Sequence, residues 1–115
     1  MNWDHVGMET SRLDETLKFY ETFFKFEEEQ AITFQEENIL FIRRGVIRLE
    51  LIENQQASPP SQQLHICWRV PSLKKEMIRL QKLGLLPVEG PFAFDLFKTV
   101  FYKGPNNEII GLIQR

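Results

Sequence analysis

Apolar residues recur at helical spacing twice along the chain, each time just after a short apolar run. Leu13, Leu17, Tyr20 and Phe24 fall on one face of a helix predicted from Arg12 to about Lys25, with Ser11 as its N-cap and Asp14 completing a capping-box-like start. Leu73, Met77, Leu80 and Leu83 repeat the pattern in a second helix, capped by Ser72 after Pro71 and stopped at Gly84. The run before each helix reads as a strand. In Trp3–Met8, period two puts Trp3, His5 and Gly7 on one face and Asp4, Val6 and Met8 on the other. Leu64–Val70 occupies the same place ahead of the second helix. Strands are also predicted at Phe26–Phe34, Asn38–Arg43 and Val46–Glu53, with a turn at Glu36–Asn38 and a tight connection at Arg44-Gly45. The second half gives a short strand at Leu85–Glu89, a longer one at Phe92–Lys103, a turn at Gly104–Asn107 and a closing strand at Glu108–Gln114. Between the halves, residues 54–63 are polar, contain two prolines and lack periodicity, which marks a linker.

The halves align. At an offset of sixty residues His5 meets His65, Leu13 meets Leu73, Leu17 meets Met77 and Tyr20 meets Leu80; near the ends an offset of sixty-one pairs Leu49 with Ile110 and Leu51 with Leu112. The expected fold class is therefore α+β. It is a single domain over residues 1–115, made of tandem strand–helix–strand–strand–strand modules at about 1–53 and 64–115. One such module cannot cover the inner face of its own curved sheet. Two of them together form a curved mixed sheet around a cleft.

Composition narrows the function. At 115 residues and a net charge of -2 the chain can bury a core but has no basic footprint, so nucleic acid is not an expected partner. No apolar run approaches the ~18–20 residues of a membrane span. The N-terminus has no basic start with an apolar core behind it, so no secretory signal is expected, and the single cysteine, Cys67, fits a cytoplasmic location. Ten phenylalanines suggest a bulky interior or an apolar pocket, and Phe92, Phe94, Phe97 and Phe101 read as core. Glu27, Glu28 and Glu29 read as a solvated edge, and Cys67 as a small buried hydrophobe.

The candidate chemistry lies where the repeat matches and where it breaks. The chain's only two histidines, His5 and His65, occupy equivalent inward positions. Glu50 sits between Leu49 and Leu51 on the inward parity of its strand, along with Arg48 and Ile52, whereas the equivalent residue of the second half is Gly111. A carboxylate in such a setting needs a partner. Either a metal or an ion pair with Arg48 or Arg69 would serve. Two histidines and a carboxylate suit Zn, Mn, Ni or Fe(II) with open positions left over.

Asp4-His5-Val6-Gly7, Leu17-Lys18-Phe19-Tyr20, Leu49-Glu50-Leu51, Leu64-His65-Ile66 and the closing Gly104–Leu112 run make the chain resemble the vicinal oxygen chelate superfamily of glyoxalases, fosfomycin- and bleomycin-resistance proteins and extradiol dioxygenases. The resemblance implies paired βαβββ modules with any metal held between them. Its four ligand positions fall on His5, Glu50, His65 and Gly111, so three match and the glutamate that completes the set is missing. Two functions follow as expectations. One is a metal-dependent lyase, isomerase or transferase acting on a vicinal-oxygen substrate, with Gly111 leaving volume free beside the metal. The other is a non-catalytic small-molecule-binding or drug-resistance protein in which Arg48 and Arg69 orient an anionic group. A homodimer is expected under both.

Overall fold

The computed structural model describes residues 4–57 and 65–115. Trp3, Leu64 and residues 58–63 of the expected linker lie outside the described residues. The chain divides into two compact units, one ending at Pro59 and the other beginning at Pro60. Each is α+β and follows the same βαβββ order.

The first unit contains β1 (Val6–Thr10), α1 (Leu13–Phe24), β2 (Glu27–Phe34), β3 (Glu37–Arg44) and β4 (Ile47–Glu53). Its sheet order is β1-β4-β3-β2, with β1 parallel to β4 and the other pairs antiparallel. Met8, Leu40, Ile42, Leu49 and Leu51 on the sheet and Tyr20 and Phe24 on α1 are buried and form its core. The β2–β3 turn lies at Gln35-Glu36, earlier than expected, because both residues take positive φ (50° and 68°), as a two-residue hairpin turn requires. Ser11 does not cap α1. Arg12 stands at the N-cap without a side-chain bond, and two buried threonines act instead. Thr10 Oγ1 accepts from the Arg12 amide, and the Thr16 hydroxyl donates to the Arg12 carbonyl.

The second unit contains β5 (His65–Arg69), α2 (Leu73–Lys82), β6 (Glu89–Ala93), β7 (Lys98–Lys103) and β8 (Ile109–Gln114), in the sheet order β5-β8-β7-β6. Ser72 caps α2 as expected, accepting from the Lys75 amide, and Gly84 follows the helix end at φ 95°. The strands after α2 differ from expectation. Leu85–Glu89 is not a strand, and Phe92–Lys103 is not continuous: Phe94–Phe97 forms the loop of a β6–β7 hairpin, closed by a Phe94 N–H to Phe97 carbonyl bond. Gly90-Pro91 falls inside β6 at a register shift, so what reads as punctuation is a bulge. Phe92 and Phe94 are exposed rather than core, and Phe94 stacks on Phe97 with centroids 4.9 Å apart. The core here is Leu73, Leu80, Val100, Tyr102, Ile110 and Leu112. Glu108 is fully buried, and its carboxylate accepts from the Asn106 amide inside the turn that leads into β8. Among the described residues no helix is long and apolar enough to cross a membrane.

Candidate functional site

β1 and β4 run side by side with Gly7 opposite Glu50. Alternation sends Met8, Leu49 and Leu51 into the core and leaves Gly7, Arg48 and Glu50 on the other face. His5 immediately precedes β1. Its Nδ1 donates to Asp4 Oδ2 at 2.7 Å, and its ring meets Phe41 edge-on with centroids 5.3 Å apart. With Nδ1 donating to Asp4, Nε2 is the ring nitrogen that faces Glu50 Oε1, at 3.5 Å. Two electron-rich atoms held so close call for positive charge between them, either a proton or a metal cation.

Arg48 does not pair with Glu50. It places its Nε and Nη2 on the two carboxylate oxygens of Glu29 at 2.6 and 3.0 Å, and its Nη1 on Asp4 Oδ1 at 3.1 Å. Glu29 also accepts from Arg43 at 3.1 Å, so this exposed glutamate of the edge strand also anchors two arginines. The Arg48 hydrogen bond holds the Glu29 carboxyl below the usual carboxylate range, and Glu29 in turn raises the Arg48 guanidinium. Asp4 is lowered as well, chiefly by its bond to His5, with Arg48 adding to the effect. Asp4, Glu29, Gln30, Phe41 and Arg48 line a recess of about 640 Å³.

In the second unit β5 lies parallel to β8, with Cys67 opposite Gly111. His65, Cys67 and Arg69 alternate on the exposed side of β5, so Cys67 is not buried; partial desolvation nevertheless pushes its thiol up. A Cβ on Gly111 would stand 3.2 Å from Cys67 Sγ and 3.4 Å from the Phe101 ring, so the volume expected to be free beside Gly111 is already filled. Arg69 has no ion-pair partner among the described residues.

The structure thus brings His5 and Glu50 together, with Arg48 joined to them through Asp4. His65 and Arg69 share a strand face in the second unit. Among the described residues no three His, Cys, Asp or Glu side chains are grouped closely enough to hold a metal ion. The His5–Glu50 pair itself fits a metal. Its 3.5 Å separation matches the roughly 3.4 Å between an imidazole nitrogen and a carboxylate oxygen on one tetrahedral zinc. An Nδ1–H held by a carboxylate is the usual support for such a ligand. Asp4 and Glu29 are site residues that the sequence reading missed. Period-two counting put Asp4 on the face opposite His5, but β1 starts only at Val6, so alternation does not govern residues 4 and 5.

The chain belongs to the glyoxalase/bleomycin resistance protein/dioxygenase superfamily, whose family model matches residues 4–99. No curated protein matches it. Solved structures share its fold. A glyoxalase family protein from Enterococcus faecalis is 21% identical with a TM-score of 0.83, over 97% of this chain and 96% of that one. An antibiotic binding protein from a Streptomyces species is 18% identical with a TM-score of 0.78, over 99% and 96%. A fosfomycin resistance protein from Listeria monocytogenes is 15% identical with a TM-score of 0.80, over 96% and 89%.

Proposed function

We propose that the chain is a metal-dependent enzyme of this superfamily acting on a small molecule, with His5, Glu50 and His65 as ligands of a divalent Zn, Mn, Ni or Fe ion. The supporting observation is the His5 Nε2 to Glu50 Oε1 approach of 3.5 Å, with Asp4 fixing the tautomer. His65 enters as the repeat equivalent of His5. When bound, the ion supplies Lewis-acid polarisation of substrate oxygens. The chain's own residues prepare the site. Asp4 orients His5, Gly7 leaves room for the Glu50 carboxylate, and Glu29 holds Arg48 extended beside them. Arg48 and Arg69 orient an anionic group of the substrate.

A second reading, non-catalytic binding of a small molecule such as an antibiotic, draws on Gly111. That position brings no carboxylate, and Cys67 and Phe101 occupy its space. The test is metal content after purification without chelator and incubation with each of the four metals. The proposal expects about one equivalent in the wild type and none in His5→Ala, with both folded by circular dichroism. A wild type that retains none of the four overturns it. A ligand-dependent rise in melting temperature that survives excess chelator favours the second reading.

A further inference from the structure

The side of the second sheet that carries α2 has a groove of about 530 Å³, within the size range of small-molecule pockets. Leu73, Met77 and Ile78 of α2 form one wall, Leu86, Pro87 and Pro91 the other, and Lys74 and Lys98 flank it. Ile78 and Leu86 are exposed large apolar residues, Leu86 at 62%. No acidic residue lines the groove, and neither lysine has an ion-pair partner among the described residues. The first turn of α2 brings Leu73 and Lys74 to it, so the positive end of the helix adds to the same sign. Gln114 fixes the floor by accepting from the Leu73 amide at 2.8 Å. His65, Cys67 and Arg69 lie on the opposite sheet face, so this groove is not part of the site described above.

The first unit has the corresponding groove, about 450 Å³, with the chemistry reversed. Leu13, Leu17 and Ala31 take the places of Leu73, Met77 and Pro91, but Asp14, Asn38 and Glu53 stand where the second unit has Lys74, Lys98 and Gln114. There Asn38 donates to Glu53 at 2.9 Å and accepts from Thr33. Phe26, sixty residues before Leu86, is only 3% exposed and packs edge-on against Tyr20. The first groove is acidic, lined by Asp14, Glu28 and Glu53, and it has no lysine. The other leaves apolar wall open and two cations unpaired.

We propose that the α2 groove binds a small monocarboxylate with an apolar tail, the tail against Ile78, Met77 and Leu86 and the carboxylate between Lys74 and Lys98. Lysine ammoniums are compact point charges that suit a single carboxylate. The test titrates the full chain with sodium decanoate, decanol and decyltrimethylammonium, by calorimetry and by amide chemical shifts. Decanoate should bind and shift Leu73, Ile78, Leu86 and Lys98. The double variant Lys74→Asp/Lys98→Asn, which installs the residues of the first groove, should weaken it at least tenfold. Lys103→Asn, on the other face of β7, should leave it unchanged, and metal binding should be the same in all variants. Decanol binding as tightly as decanoate, shifts confined to the His5–Glu50 face, or no decanoate binding by a folded wild type would each overturn the proposal. So would a dimer in solution that buries the groove.

Discussion

The parallel strand pairs β1–β4 and β5–β8 are built alike and finished in opposite ways. In the first, a glycine on the outer strand faces a long side chain, with Gly7 opposite Glu50; in the second, Cys67 on the outer strand faces the glycine, Gly111. The reason is spatial. A Cβ on Gly7 would stand 3.0 Å from Glu50 Oε1, and one on Gly111 would stand 3.2 Å from Cys67 Sγ. In each cross-strand pair the one side chain lies over the glycine opposite, so a second side chain there would crowd it. Glu50 and Gly111 thus differ together with Gly7 and Cys67: the first pair carries a carboxylate beside His5, the second a thiol.

The comparison assumes equal scaffolds, and the largest effects test that assumption. Leu51→Ala and Leu112→Ala, at equivalent buried positions, should each cost about 2–5 kcal/mol in denaturant unfolding. A cost confined to one unit would break the equivalence. The exchange comes next. Gly111→Glu should destabilise by about 1–3 kcal/mol through crowding against Cys67 and Phe101. Adding Cys67→Gly should recover most of that loss, and a double variant no better than the single would refute the paired reading. Asp4→Asn should lower metal affinity about 10–100-fold by loosening the His5 tautomer while the fold persists. The smallest effect is in acid. Glu29 has a depressed carboxyl pKa, so its contribution to stability is fully present above the ordinary value of 4.5 and is lost as pH falls through the folded value below it. Glu29→Gln should therefore flatten the fall of melting temperature below that pH, and an unchanged slope would remove the Arg48–Glu29 pair from the account.

Much of this was legible in the sequence, because period and repeat reinforce each other. Both helices, the first unit's hairpins and the β4 and β8 strands could be placed from apolar spacing, and His5, Glu50 and Gly111 from the offset alone. What escaped were features that depend on register. The β6–β7 hairpin was displaced because Phe-Ala-Phe-Asp-Leu-Phe looks like strand throughout, while its bend is set by a backbone bond from Phe94 to Phe97. Glu29 reads as one of three solvated glutamates, and nothing in the sequence shows that Arg43 of the adjacent β3 and Arg48 of β4 beyond it both reach it. The Gly7–Glu50 pairing was invisible because parallel register follows from the whole βαββ crossover and not from any local pattern.

The central claim is that His5 and Glu50 face each other in order to share a cation. Calorimetric titration of metal-free protein with zinc, run on the wild type, His5→Ala and Glu50→Gln, tests it most directly. One equivalent bound by the wild type, with binding abolished in His5→Ala and strongly weakened in Glu50→Gln, is the predicted result. Equal binding by all three proteins, or none by the wild type, would contradict it.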